Sequence, residues 1–304
     1  MSLDKKLSKR TSAPATIAEL VSTSNDKTTH DKNTHGGLFF QQHQDGDNKI
    51  HTQAQLKKGG RVEVLDRLRK ADMLVPGSHL SEEFFDEYRR IKRPLLSNAF
   101  GKTASLVEKG NLILVTSSIP GEGKTHSSIN LALSIAQERD HTVLLVDCDV
   151  TRHGSSRMLG IADKPGLVEL LESDNRDIGE VIIKTDIPKL CLISAGKQHE
   201  FVTELLASQR MTDLVNELGE RYKDRIIIFD GPPILPTPQT QVLTGLVGQV
   251  VFVIEAGKTP QSVVEDAIAL IPEGTATGLL MNKSEGISCR SGYYYGYYNK
   301  KPES

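Results

Sequence analysis

Six short apolar runs separated by amphipathic stretches constrain this chain more than any other feature it carries. The runs are "NLILVTS", "HTVLLVDCD", "KLCLISAG", "DRIIIFDGPP", "QVVFVIEAG" and "TGLLMNK". Runs this short and rich in Val, Ile and Leu read as strands buried on both faces. Between most of them lie segments with helical periodicity: "KTHSSINLALSIAQE", "TELLASQRMTDLVNELGERY" and "SVVEDAIALI". Strand–helix alternation predicts an α/β fold, a mostly parallel sheet with helices on both faces.

Upstream of the alternation the pattern predicts two more helices. One starts at Arg61, with Val64, Leu65, Leu68 and Ala71 on one side, and stops near "VPG". The other is capped by Ser81, carries Phe84, Phe85, Tyr88 and Ile91 as its apolar stripe, and ends at Pro94. Residues 1 to about 60 are polar, rich in Asn, Gln, His and Lys, and too poor in large apolar groups to offset the entropy of ordering. The predicted organisation is a largely disordered arm over 1–75 with a short helix, a domain over 76–283, and a flexible Tyr-rich tail over 284–304. The arm's four histidines, His30, His35, His43 and His51, have irregular spacing, which argues against a metal site.

A net charge of −2 is too neutral for a chain that coats nucleic acid. No apolar run approaches the ~18 residues of a membrane span. "MSLDKKLSKRTS" lacks the apolar core of a secretory signal. Cys148, Cys191 and Cys289 are odd in number without metal-ligand spacing, which suits a reducing, cytoplasmic setting.

The most specific segment is "LILVTSSIPGEGKTHSSINLALSIA". A strand enters a turn of Ser118, Ile119, Pro120, Gly121, Glu122 and Gly123, and Lys124, Thr125 and His126 open a helix. Such a loop wraps a phosphate in backbone N–H groups, with the helix N-terminus adding unpaired donors and a positive dipole end. Lys124 can reach the β- and γ-phosphates of a bound nucleotide, and the Thr125 hydroxyl can bind Mg²⁺. Ser118 stands where the general pattern has glycine. Asp147 and Asp149 close one buried strand and Asp230 closes another, on the sheet edge where open α/β folds bind ligands. Three aspartates beside a phosphate loop point to a metal and nucleophile site.

The segments "SSIPGEGKT", "VLLVDCDVTR" and "IIIFDGPP" together with the terminal tyrosine cluster resemble the bacterial tyrosine kinases, over about residues 80–304. Within that family "EEFFDEYRRIKRPLLSNAF", "ELLAS" and "VGQVVFVIEAGKTPQSVVEDAI" look most like the autokinases of exosortase-associated exopolysaccharide operons. The resemblance implies a P-loop NTPase-type domain using ATP and Mg²⁺. It implies a phosphate clamp at Lys124 and metal binding by Thr125, Asp147 and, through water, Asp230. Asp149 would accept the tyrosine proton. It also implies that Glu87, Arg90 and Arg93 form an oligomerisation element of a homo-oligomeric ring. A transmembrane polysaccharide co-polymerase-type activator would recruit the chain to the inner face of the membrane, and a cognate tyrosine phosphatase would oppose it. The sequence departs from the family at "VTRHG" after Asp149 and at "PTPQT" after "DGPPIL".

Five of the seven tyrosines, Tyr293, Tyr294, Tyr295, Tyr297 and Tyr298, crowd the last stretch. By itself the cluster is an aggregation hazard, a stacking platform or a substrate; attached to a tyrosine-kinase-like core it reads as an autophosphorylation site. From Lys283 to Tyr295 an extended chain reaches at most about 40 Å, enough to enter a neighbouring copy's site. The competing readings are a switch ATPase of the partition or division-site type and a non-catalytic ATP-binding scaffold. The first places a lysine five residues before the loop lysine, where this chain has Ile119.

Overall fold

A computed structural model describes residues 60–173, 176–221 and 224–284. The arm up to residue 59 and the tail from residue 285, with its five tyrosines, lie outside the described residues. Eight strands form one sheet: β1 (Arg61–Val62), β2 (Leu112–Ser117), β3 (Thr142–Asp147), β4 (Ile183–Thr185), β5 (Leu190–Ile193), β6 (Arg225–Asp230), β7 (Gln249–Glu255) and β8 (Ala276–Asn282). Their spatial order is β1-β4-β5-β3-β6-β2-β7-β8, and every neighbouring pair is parallel except β4 with β5.

The two-residue period of the central strands divides the core. Leu112, Leu114, Leu144, Val146, Ile227 and Phe229 face one side, packing with helices α5 (Leu167–Glu172), α7 (Gln209–Arg221) and α9 (Gln261–Ile268). Ile113, Val115, Val143, Leu145, Ile226 and Ile228 face the other, under α1 (Leu65–Lys70), α2 (Glu82–Phe100), α3 (Lys124–Ala136) and α4 (Gly154–Leu159). Each such side chain, fully buried, contributes roughly 1.5–3 kcal/mol relative to exposure. Strands of this kind have no polar face, which is why they appear in the sequence as unbroken apolar runs.

Several expectations need correction. The helix predicted from Arg61 begins at Leu65, because Arg61–Val62 pairs with β4 and the Asp186 carboxylate accepts from the N–H groups of Val64 and Leu65 at 2.9 and 3.2 Å. A cap supplied from more than 120 residues away leaves no local signature. Val64, Leu68, Met73, Leu74 and Val75 are all buried, so the packed unit includes the segment assigned to the arm's last fifteen residues.

Helix α2 begins at its Ser81 cap, where the hydroxyl accepts from Phe84 N at 3.3 Å, but runs through Pro94 to Phe100. Pro94 and Arg90, whose carbonyl loses its donor, are both exposed, so water can satisfy that carbonyl. The opposite face is held down by Leu95 and by Lys92, whose Nζ donates to Ser134 O at 2.6 Å and pairs with Glu138 at 2.7 Å.

The segment "TELLASQRMTDLVNELGERY" is two helices, α6 (Val202–Leu206) and α7, because Ser208 intervenes and its hydroxyl accepts from Met211 N. Strand β8 is an edge rather than a doubly buried strand; Leu279 and Met281 are 58% and 62% exposed. The remaining α-helix is α8 (Pro238–Thr244).

Candidate active site

Parallel strands deliver their carboxyl ends to one edge of the sheet, and β3, β6 and β2 are consecutive there. Asp147 on β3 and Asp230 on β6 are register partners, so their side chains leave the sheet on the same side about one strand spacing apart. Beside them β2 runs into the loop 118–123 and α3. Gly121 and Gly123 both have φ +96°, a conformation that other residues rarely adopt.

Lys124 is buried and its Nζ lies 2.9 Å from Asp149 Oδ2. Asp149 Oδ1 accepts from Arg152 N at 3.2 Å. Asp147 is satisfied differently: Oδ2 accepts from the Ser156 backbone and hydroxyl at 2.8 and 2.6 Å, and Oδ1 from Asp149 N at 3.1 Å. Asp230 Oδ1 accepts from the Ser128 hydroxyl at 3.0 Å, while its Oδ2 is buried without a protein hydrogen bond. Lys124, Asp147, Asp149 and Asp230 therefore lie together at this edge, with Ser128 and Ser156 as supports the sequence did not announce. Ser128 has a faint signal, one helical turn after Lys124; Ser156 has none.

Burial and the neighbouring Asp147 carboxylate raise Asp230 to about 7, against lowering by Lys124, Ser128 and Thr125. Burial raises Asp147 as well. A carboxyl that binds its proton more tightly folded than unfolded stabilises the fold fully below the unfolded value near 3.8, and that contribution is lost as pH rises to about 7. Thermal melts of the nucleotide-free chain should show this loss between pH 4 and 7, levelling above it. Asp230→Asn should remove that component, and parallel curves for the two proteins would refute the assignment.

The loop members divide by what they do. Ile119 is exposed and its N–H donates to Glu122 Oε2 at 2.8 Å; Pro120 has no N–H. Ser118 is buried, with its carbonyl accepting from Leu235 N at 3.3 Å. Glu122 is buried too, its Oε1 accepting from the Thr259 hydroxyl at 2.6 Å. Among the described residues the N–H groups of Gly121, Glu122 and Gly123 donate to no protein acceptor. The His126 ring turns away to α2, with its centroid 6.4 Å from that of Phe84 and Nδ1 3.1 Å from Asn130 Nδ2, so only its backbone belongs to the helix's first turn.

No group of three or more His, Cys, Asp or Glu among the described residues has metal-binding geometry. Magnesium on a nucleotide needs fewer protein ligands, since phosphates and water supply the rest. The orphaned Asp230 Oδ2 and the Thr125 hydroxyl, which bears on Asp230, fit that role. Asp147, with both oxygens already accepting, fits it less well.

Residues 110–262, half of the chain, match the AAA domain family. The tyrosine-protein kinase CpsD of Streptococcus agalactiae is 30% identical over 236 residues, which is 75% of this chain and 91% of that protein. The chain belongs to the bacterial tyrosine-protein kinase family. The solved kinase domain of VpsO agrees, superposing with a TM-score of 0.52 at 29% identity over 66% of this chain and 99% of that one. The EpsB protein of Ralstonia nicotianae is 31% identical over 192 residues, 62% of this chain, and the chain spans only a quarter of that relative's length (25%).

In this member of the tyrosine-kinase family, Glu87, Arg90 and Arg93 are exposed on α2, and none of them forms an ion pair with another described residue. The divergent "VTRHG" places His153 at φ +53° and sets Gly154 against Thr125: a Cβ on Gly154 would lie 2.8 Å from Thr125 Oγ1. "PTPQT" starts α8 with Pro238 in its first turn. Among the described residues no helix is long and apolar enough to cross a membrane.

Proposed function

We propose that the chain transfers the γ-phosphoryl group of ATP to tyrosine, and that its acceptors are Tyr293, Tyr294, Tyr295, Tyr297 and Tyr298 of a neighbouring copy. The observation that carries the reading is the convergence of Lys124, Asp149 and Asp230 beside a loop with unspent N–H donors. Phosphoryl transfer has a loose transition state, so catalysis is chiefly alignment and charge neutralisation. The loop amides and Lys124 hold the phosphates. Magnesium, when bound with ATP, neutralises charge on the β- and γ-phosphates. Thr125 and Asp230 would hold it, Asp230 through water. Asp149, released from Lys124 when that ammonium turns to phosphate, would take the tyrosine proton, and Asp147, fixed by Ser156, would hold the Asp149 backbone in place.

On this reading residues 284–304 form a substrate tail and the exposed Glu87, Arg90 and Arg93 face belongs to a ring contact between copies. Each added phosphate brings about −1.5 to −2 charges, so a modified tail is expelled from an acidic site and the ring loosens. The wider role, drawn from the family resemblance, is control of exopolysaccharide polymerisation and export. A transmembrane activator would hold the chain at the cytoplasmic face of the membrane, and a tyrosine phosphatase would reset it.

Incubation with labelled ATP and magnesium tests the core of the reading. Label in phosphotyrosine that disappears in Lys124→Met and in a truncation after Ser288 is the expected result. Free phosphate without protein label would indicate a switch ATPase, and neither would indicate a scaffold. Light scattering before and after reaction checks the ring: a molar mass unchanged at stoichiometric phosphotyrosine would refute coupled disassembly.

A further inference from the structure

The phosphate loop is fastened from behind by Asn282, the last residue of β8, and by Lys283, which follows it. Lys283 Nζ donates to Gly121 O at 2.6 Å, and Asn282 Nδ2 donates to Glu122 O at 2.9 Å. Glu255 Oε2, 3.2 Å from Lys283 Nζ, steadies the lysine, and Lys258 holds the other oxygen of Glu255 at 2.8 Å. Lys283 itself turns at φ +57°, a conformation unusual for a side chain of its size. The Glu122 carboxylate adds a third tie, bridging Ile119 N and the Thr259 hydroxyl.

These contacts have a directional consequence. In a trans peptide the carbonyl of one residue and the N–H of the next point opposite ways in one plane. Drawing the Gly121 carbonyl toward Lys283 therefore aims the Glu122 N–H away from β8. Drawing the Glu122 carbonyl toward Asn282 aims the Gly123 N–H the same way. Both are donors that no protein acceptor uses among the described residues. A flipped peptide at either place would present a carbonyl oxygen to a phosphate instead.

We propose that Asn282 and Lys283 are positioning residues that preset the Glu122 and Gly123 amides of the phosphate loop for the nucleotide's phosphate oxygens. The inference rests on the loop being the phosphate cradle, but not on tyrosine being the acceptor. Neither residue touches the phosphates; each acts through a carbonyl on the far side of the loop. Neither was marked as functional by the sequence, because "MNK" closes the last apolar run with no motif around it.

The test is calorimetric binding of ATP with Mg²⁺, and of inorganic tripolyphosphate, to the full chain. Asn282→Asp keeps the shape and removes the donor; Lys283→Met removes the donor and leaves Glu255 paired with Lys258. Each should weaken both ligands by about tenfold, the scale of one hydrogen bond that orders a charged contact. Lys283→Arg, which can still donate, should stay within about threefold of wild type. Melting temperatures separate this from unfolding, and should Asn282→Asp fail to fold, Lys283→Met, on a half-exposed side chain, decides alone. Affinities within twofold of wild type in Lys283→Met, or equal losses in Lys283→Met and Lys283→Arg, overturn the proposal. Wild type that binds ATP yet leaves tyrosine bare sinks the kinase reading and leaves this one standing.

Discussion

Lys124→Met is expected to lower tyrosine phosphorylation by roughly 100- to 1,000-fold, the loss seen when one preorganised donor to developing charge is removed. The lysine is buried at the first position of α3, where the helix dipole and the loop amides already favour an anion. Its only ion-pair partner among the described residues is Asp149, at 2.9 Å. Methionine fills the same volume but leaves the Asp149 carboxylate buried without its cation. Breaking one side of a buried pair costs about 3–5 kcal/mol. The single variant should therefore melt lower than wild type. Lys124→Met with Asp149→Asn removes both charges, and should recover stability without recovering activity. Kinetics with labelled ATP and melts of the three proteins check both halves. Activity that returned in the double variant would refute both the phosphate-clamp role of Lys124 and the proton-acceptor role of Asp149.

Gly123→Ala should weaken ATP binding by about 100-fold, equivalent to about 2.7 kcal/mol. Two separate obstacles meet at this position. Its φ of +96° is strained for any residue with a Cβ, at about 1–3 kcal/mol. The added carbon would also fall 1.9 Å from Asn282 Nδ2, so the loop or the amide must move. Gly121 has the same φ with open space where a Cβ would go. Gly121→Ala should therefore lose distinctly less, about tenfold, from backbone strain alone. Adding Asn282→Ala to Gly123→Ala removes the clash but also the tie to the Glu122 carbonyl, and leaves the strain, so the double variant should recover little of the lost affinity. Equal losses at Gly121 and Gly123 would show that backbone conformation, and not the contact with β8, governs the loop.

Much of the site was legible from the chain alone because its signals are local. A strand, a glycine turn and a helix beginning Lys124-Thr125 lie within one continuous stretch, and the aspartates fall at the ends of apolar runs. The supports were not legible. Ser156 reaches Asp147, Asp186 caps α1, and Asn282 and Lys283 hold the loop from 160 and 162 residues away. Serine, asparagine and lysine are ordinary surface residues until packing brings a partner to them. The same limit explains the errors in the fold. Pro94 carries a strong local stop signal that was overruled by Lys92 and Leu95 packing on α3 and the sheet. Arg61–Val62 is too short to show a strand period, and only pairing with β4 makes it one.

What the sequence determined by itself was therefore the α/β class, the position of the phosphate loop and the three aspartates, since hydrophobic period and turn chemistry act over a few neighbouring residues. Tertiary structure alone decided the strand order, the pairing of Lys124 with Asp149 and the attachment of the loop to β8. Those depend on which distant segments share a sheet edge, and a carbonyl turns toward a donor only once the fold has carried that donor to it.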